Sequence, residues 1–372
     1  MTKRLPVEHF HFPVEEIKAG YYSDAYFMRT EEILNRDNNH PRVLTQVFTR
    51  EPMIVCGIDE VIALIKTCAH HPETIKIRAL HDGDKIEPWE TLMTIEGDLA
   101  DFAHLETIYL GIFSRQSRIA TNVRKVVKAA NGKPVLFFPA RYDIYQTQES
   151  DGYAAMIGGI TGFSTDANAL AYGGKGLGTI PHALIASYKG DTVAATSAFD
   201  KYVDPKIARI ALVDFDNDCV NTSLACARKL GKSLQGVRLD TSGSMVDKSL
   251  WEQIGTFKPT GVCKELVYNV RKALDAEGFN HVKIIASGGF DEARVKAFEE
   301  MGVPVDTYAV GSSFFDGNIN FTADVVERND VDLPIMFTTA TYDFCGFGGV
   351  TGFAGDPNPA DPYDPEHIKD VF

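Results

Sequence analysis

Gly236-Val237-Arg238-Leu239-Asp240-Thr241-Ser242-Gly243 is a short apolar run that stops abruptly at polar residues and glycine. A strand covered on both faces reads this way, as a continuous run instead of an alternation. Runs of the same kind stand at 134–138, 210–213, 282–286 and 305–310, each followed by a segment with helical spacing. Strand–helix repetition predicts a parallel sheet or a β/α barrel. In a barrel the chemistry sits at the carboxyl ends of the strands, so the residues that follow each run are the candidates for function.

Those residues are polar and charged. Pro139-Ala140-Arg141 follows the first run and Asp214-Phe215-Asp216-Asn217-Asp218 the second. Arg238 lies inside the third, two residues before Asp240, and Ser287-Gly288-Gly289 and Gly311-Ser312-Ser313 close the last two. Glycine lets backbone N–H groups approach a phosphate and serine adds hydroxyl donors, so two consecutive loops of this type point to a phosphate site. Arg141 and Arg238 would add fixed positive charge on the same rim. Asp214, Asp216, Asp218 and Asp240 would repel one another without a proton or cation between them, and Mg²⁺ carried by a polyphosphate suits such a rim. His182 follows Pro181 and opens an apolar helix; its local sequence leaves a structural and a catalytic role both open.

Upstream the pattern is mixed. Segments 43–48 and 53–55 read as strands and 58–68 as a helix, while 74–77 and 90–95 alternate like half-buried strands. A long helix is expected from about 100 to 130. The chain is therefore α/β, with an N-terminal domain and its linking helix over 1–130, a barrel over 131–345 and an extension over 346–372. That extension, rich in Gly, Pro and Asp, is expected to pack back on the N-terminal domain or to be partly disordered.

The 372 residues are 44% hydrophobic and 24% charged, with a formal net charge of -14. An acidic chain has no general attraction for nucleic acid or an anionic membrane, so an anionic substrate needs a local cluster of cations and amides. No apolar run approaches the roughly 20 residues of a membrane helix, and the first residues lack the apolar core of a signal peptide. The six cysteines form no C-x-x-C pair and read as reduced, which makes the cytoplasm the expected location.

Several further segments join the strand ends in one order. They are Gly83-Asp84-Lys85-Ile86-Glu87-Pro88, Met93-Thr94-Ile95-Glu96-Gly97, Leu105-Glu106-Thr107, Ser117-Arg118-Ile119-Ala120-Thr121, Gly162-Phe163-Ser164-Thr165-Asp166-Ala167-Asn168 and Gly178-Thr179-Ile180-Pro181-His182. Together with Leu212-Val213-Asp214, Val237 to Asp240, Ser287-Gly288-Gly289 and Val310-Gly311-Ser312, this order resembles the nicotinate phosphoribosyltransferase family over nearly the whole chain. The resemblance implies an N-terminal open-faced α/β sandwich followed by an incomplete α/β barrel. It implies transfer of a ribose phosphate from phosphoribosyl pyrophosphate to nicotinate, with Mg²⁺, and ATP as co-substrate through a transiently phosphorylated histidine at His182.

The same resemblance implies roles for other residues. Arg141 would meet the nicotinate carboxylate or pyrophosphate, Arg238 the ribose and phosphates, and Asp240 a ribose hydroxyl. Ser287, Gly288, Gly289, Gly311, Ser312 and Ser313 would clamp the 5′-phosphate. The aspartate that supports His182 stays open among Asp214, Asp216 and Asp218. Asp24 and Tyr26 resemble an N-terminal pair whose tyrosine stacks on the pyridine ring of the neighbouring subunit, which implies a homodimer. Arg118, Thr165, Asn168, Lys175 and Thr179 are the further substrate-binding candidates. Asn168 falls where nicotinamide-specific relatives carry an aspartate, which favours nicotinate; a shift of two residues would put Asp166 there instead. No direct protein ligand for a metal is assigned. The chain departs from the family at Tyr142, where a second arginine is common, and near Cys345, where the lack of further cysteines predicts no zinc site.

Rival readings share the loops. A quinolinate phosphoribosyltransferase has the same two-domain fold but needs a denser basic site for two carboxylates and lacks the ATP-linked histidine motif. A nicotinamide enzyme would differ chiefly at the Asn168 position. A phosphate-binding aldolase or isomerase would need a Schiff-base lysine, for which Lys175 is the candidate.

Overall fold

The computed structural model describes residues 4–329, 331–332 and 369–370. The chain divides into two units, Met1–Thr121 with Gly317–Phe372, and Asn122–Asp316. In the first, α1 (Val14–Lys18) and α2 (Ala25–Arg36) precede β1 (Arg42–Thr49), β2 (Met53–Ile54), α3 (Ile58–Cys68), β3 (Lys76–Ala79), β4 (Lys85–Ile86) and β5 (Thr91–Asp98). Then come α4 (Leu99–Phe102), a 3-10 turn at Ala103–Leu105, and α5 (Glu106–Ala129), so the long helix expected from about 100 is interrupted.

The main sheet is antiparallel around β1, and α3 and α5 share its core. Val47, Leu64, Leu92, Tyr109 and Phe113 are all fully buried there. Burial of each such side chain contributes about 1.5–3 kcal/mol. Gly57 precedes α3 and has no side chain to cap it; Asp82 takes that task, its Oδ1 accepting from the Ile58 amide at 2.8 Å.

The second unit alternates strands and helices. Its elements are β6 (Val135–Phe137), α6 (Gln148–Gly158), β7 (Gly162–Phe163), α7 (Asp166–Ala169), α8 (His182–Ser187), α9 (Thr192–Tyr202) and β8 (Ile210–Leu212). They continue with α10 (Cys219–Leu230), β9 (Gly236–Leu239), α11 (Lys264–Ala276), β10 (Lys283–Ala286), α12 (Glu292–Glu300) and β11 (Thr307–Val310). The strands form one parallel sheet in the order β7-β6-β11-β10-β9-β8, and its two outer strands do not pair with each other. The unit is therefore an incomplete α/β barrel. The five apolar runs of the sequence are β6, β8, β9, β10 and β11, of which β8 is an outer strand, whereas β7, two residues long, is too short to read as one.

Past Gly317 the chain returns to the first unit. β12 (Phe321–Arg328) pairs antiparallel with β1, from Thr49 opposite Phe321 to Val43 opposite Arg328. β13 (Val331–Asp332) pairs with β12, and β14 (Lys369–Asp370) with β3. The barrel unit thus ends at Asp316, not at 345 as expected, and the other boundary falls at Thr121, inside α5, not at 130. The reason lies in β12, where Phe321, Ala323 and Val325 alternate onto the core of the first unit. With β12 on one side and β5 on the other, β1 has hydrogen-bonding partners along both edges. The extension expected over 346–372 lies outside the described residues apart from β14, and so does Cys345. No helix of the described residues is long and apolar enough to cross a membrane.

Candidate active site

β9 and β10 run parallel with Leu239 opposite Ala286, so Asp240 and Ser287 leave their strands side by side. The Ser287 hydroxyl lies 2.7 Å from Asp240 Oδ1 and 2.9 Å from the Leu239 carbonyl. Arg238 donates from Nε to Ser287 Oγ at 2.9 Å and from Nη2 to Asp240 Oδ2 at 3.0 Å. Its guanidinium also rests over the Phe138 ring, 5.5 Å from the centroid. Arg238, Asp240 and Ser287 therefore close a hydrogen-bonded ring in which each fixes the others, and the charges of arginine and aspartate offset one another.

Next to β9 is β8, and Asp214 lies just beyond its end. Asp214 Oδ1 stands 3.0 Å from Nε2 of His182, the first residue of α8. The aspartate side chain is 6% exposed and the histidine 46%, so a buried carboxylate orients an imidazole that solvent still reaches. Burial pushes the Asp214 carboxyl up; His182 opposes that shift, and the Asp240 charge adds to it.

The two glycine–serine loops are braced from behind. Arg294 Nη1 donates to the carbonyls of Gly288 at 2.9 Å and Gly289 at 3.1 Å, and Nη2 to that of Val262 at 2.7 Å. Its guanidinium lies 4.3 Å from the Phe290 ring centroid. Across a trans peptide the next amide points the opposite way, so the Gly289 N–H is turned away from Arg294. Among the described residues the amides of Gly288 and Gly289 have no acceptor. Gly288 has φ +84°, and a Cβ on it would lie 3.3 Å from the Thr241 carbonyl, so the turn suits glycine. After β11, a Cβ on Gly311 would come within 3.1 Å of the Tyr142 ring and 3.3 Å of the Phe138 carbonyl. Ser312 opens the 3-10 turn Ser312–Phe315, whose first amides have no partner inside the turn. Ser313 Oγ donates to the Phe290 carbonyl at 2.9 Å and ties the two loops together.

Other candidates lie elsewhere. Arg141 is exposed on the 3-10 turn Ala140–Tyr142, its guanidinium 5.6 Å from the Tyr142 ring centroid. Asp218 is not the residue that meets His182: it precedes α10, accepts from Asn221 at 3.3 Å and pairs with Lys248 at 3.7 Å. Asp216 is exposed. Thr165 caps α7, accepting from the Asn168 amide at 3.1 Å. Asn168 is 1% exposed; its Nδ2 donates to the Gln148 carbonyl at 2.7 Å and its Oδ1 lies 3.0 Å from Thr165 Oγ1. Its amide is spent on holding α6 and α7 together, which corrects the expectation that it faces a substrate carboxylate. Asp166 is the exposed residue of this turn, bound to the Gly176 amide at 2.7 Å and to Lys175 at 3.1 Å. Those contacts hold the otherwise exposed Lys175. Thr179 is half-buried, and its hydroxyl donates to the Ile180 carbonyl at 3.2 Å.

Asp24, Tyr26 and Arg118 belong to the first unit. Asp24 precedes α2 and shares two hydrogen bonds with Thr107, and Arg118 Nη1 donates to the Gly317 carbonyl at 3.0 Å. Tyr26 is 58% exposed. Sequence reasoning missed Phe138 and Arg294. Phe138 ends the first apolar run and could have been found there, whereas nothing in the spacing of Arg294 on α12 singles it out.

Residues 24–117 match the family model described as quinolinate phosphoribosyl transferase, N-terminal domain. Nicotinate phosphoribosyltransferase pncB1 of Mycobacterium tuberculosis is 30% identical over 252 residues, 66% of this chain and 51% of that protein. The chain thus spans about half the length of the curated relatives it matches first. The crystal structure of nicotinate-nucleotide pyrophosphorylase from Pyrococcus furiosus superposes with a TM-score of 0.75 at 34% identity, covering 89% of this chain and 80% of that one. Human nicotinic acid phosphoribosyltransferase gives a TM-score of 0.64 at 16% identity, over 85% of this chain and 76% of that one, a likeness of fold alone.

Proposed function

The chain belongs to the nicotinate phosphoribosyltransferase family of type II phosphoribosyltransferases, and we propose that it joins nicotinate to the ribose of phosphoribosyl pyrophosphate with ATP hydrolysis coupled through His182. The names of the relatives support the reaction. The observation that carries the reading is the His182–Asp214 pair next to the Arg238–Asp240–Ser287 ring. The pyridine nitrogen attacks the anomeric carbon as pyrophosphate leaves, and positive charge grows on the ribose. Catalysis is then mostly positioning and charge stabilisation. The loops at Ser287–Gly289 and Gly311–Ser313 hold the 5′-phosphate, Arg238 and Arg141 the anionic groups, and Asp240 a ribose hydroxyl. Asp214 and Asp240 already accept from His182, Arg238 and Ser287, which suits Mg²⁺ that enters on the pyrophosphate oxygens with its waters. Tyr26 serves the site of a neighbouring subunit in a homodimer, so an active monomer in size-exclusion chromatography would remove that role.

The Pyrococcus furiosus neighbour and the family model favour a second reading, in which quinolinate is the acceptor and carbon dioxide leaves as well. One experiment separates the two. The protein is given phosphoribosyl pyrophosphate and Mg²⁺ with nicotinate, nicotinamide or quinolinate, each with and without ATP. ATP-stimulated turnover of nicotinate supports the first reading. Preferential turnover of quinolinate, with carbon dioxide released and no response to ATP, overturns it.

A further inference from the structure

Glu31, His70 and His104 come from three separate segments of the first unit: α2, the turn after α3, and the 3-10 turn Ala103–Leu105. One ligand atom from each lies within 4.8 Å of the others. His70 Nε2 is 2.9 Å from Glu31 Oε1, and His104 Nδ1 is 3.5 Å from Glu31 Oε2. The His70 and His104 rings lie side by side, with centroids 4.6 Å apart.

The hydrogen bonding of this cluster does not close. His104 is fully buried, and its Nε2 lies 3.0 Å from the Cys68 carbonyl. A carbonyl only accepts, so Nε2 carries the proton and the neutral ring has a lone pair on Nδ1. That lone pair faces Glu31 Oε2, which in the carboxylate is an acceptor too. Both atoms are buried and without a hydrogen-bond partner among the described residues. Two facing buried acceptors cost free energy unless a cation or a proton sits between them.

We propose that Glu31, His70 and His104 form a Zn²⁺ site in the first unit, with solvent as the fourth ligand. Tetrahedral ligands on bonds of about 2.0 Å stand about 3.3 Å apart, close to the 2.9 Å from His70 Nε2 to Glu31 Oε1 and the 3.5 Å from His104 Nδ1 to Glu31 Oε2, so the carboxylate turns one oxygen to each histidine. The Nε2 bond to a backbone carbonyl is the outer contact that fixes the tautomer of a metal-binding histidine. His70, 30% exposed, leaves the cluster open to solvent on one side. One carboxylate with two neutral imidazoles keeps a net charge for a divalent cation.

The ion would staple α2, which buries no residue of its own, to the rest of the unit. Asp24 and Tyr26 stand at the start of that helix, so the site sets how firmly they are held. The proposal does not depend on which pyridine the enzyme uses, and its test does not read activity.

Full-length protein stripped with a chelator is titrated with Co²⁺, and its visible absorption is followed. One Co²⁺ per chain, displaced by Zn²⁺ and without the near-ultraviolet band of a thiolate ligand, is expected. Glu31→Gln and His70→Gln sit at partly exposed positions and should fold; each should weaken binding roughly tenfold or more. Zn²⁺ should raise the melting temperature of the parent protein and not of these variants. No stoichiometric Co²⁺ band, a sulfur band, or equal affinity in both variants would overturn the site and leave a shared proton between His104 and Glu31.

Discussion

His182 Nε2 meets Asp214 Oδ1 at 3.0 Å, across a separation of 32 residues in the chain. The carboxylate accepts from Nε2–H, which leaves Nδ1 with the free lone pair. Phosphoryl transfer from ATP should therefore label Nδ1 of His182. His182→Ala should abolish the label and Asp214→Asn should slow labelling about 10²- to 10⁴-fold. Nuclear magnetic resonance of the labelled ring, giving the Nε2 isomer, would contradict this arrangement.

The pH dependence follows with a definite sign. Burial raises the Asp214 carboxyl, so on acidification it takes a proton earlier than an ordinary aspartate of pKa about 3.9. Once protonated it no longer holds Nε2–H. Labelling rate should fall as pH drops through the raised value and recover on the alkaline side. A profile flat down to the ordinary aspartate range would speak against Asp214.

The Arg238 fork reaches Ser287 and Asp240 at once. Lysine keeps the charge but loses the fork. Arg238→Lys should lower kcat/KM about 10²-fold, equivalent to about 2.7 kcal/mol, with little change in melting temperature. Equal activity would show that only its charge matters.

Two glycines make a paired test of the loops after β10 and β11, proposed to hold the 5′-phosphate. Gly288→Ala meets both a φ of +84° and the Thr241 carbonyl, and should cost about 1–3 kcal/mol and weaken phosphoribosyl pyrophosphate binding. Gly311→Ala presses on the Tyr142 ring, so Tyr142→Ala should restore part of what it loses. Isothermal titration and thermal unfolding of the single and double variants measure both. Additive losses at Gly311 and Tyr142 would deny the contact.

Glu106 tests the first unit alone. Burial, then the Asp324 charge, raises its carboxyl to about 7. A raised carboxyl holds its proton in the folded state where the unfolded chain has lost it. Its penalty is absent below the unfolded value of 4.5, grows as pH rises, and is complete above about 7. Glu106→Gln should therefore raise stability at pH 8, by at most about 3 kcal/mol, and change little at pH 4. Equal melting shifts at both pH values would contradict the assignment.

Where the apolar pattern was strong, the sequence was enough. The run Gly236–Leu239 is β9 residue for residue, and the helix expected over 58–68 is α3. Arg238, Asp240, Ser287 and the two glycine loops were legible because a parallel strand sends its end to the rim of a barrel wherever it pairs. β12 was missed although Phe321, Ala323 and Val325 alternate, because nothing local says that a strand after the barrel returns to pair with β1.

By itself, then, the sequence determined the α/β class, the strand ends that carry polar groups, and the position of the two glycine–serine loops after β10 and β11, since those depend on short-range pattern and residue chemistry. Tertiary structure alone chose Asp214 over Asp216 and Asp218 as the partner of His182, and it turned Asn168 inward to join α6 and α7. It also set Arg294 behind the glycine–serine loop after β10 and brought Glu31, His70 and His104 together. Each of these is a meeting of groups far apart in the chain. Side-chain direction at such a meeting depends on which strands and helices pack together, information that no single stretch of residues contains.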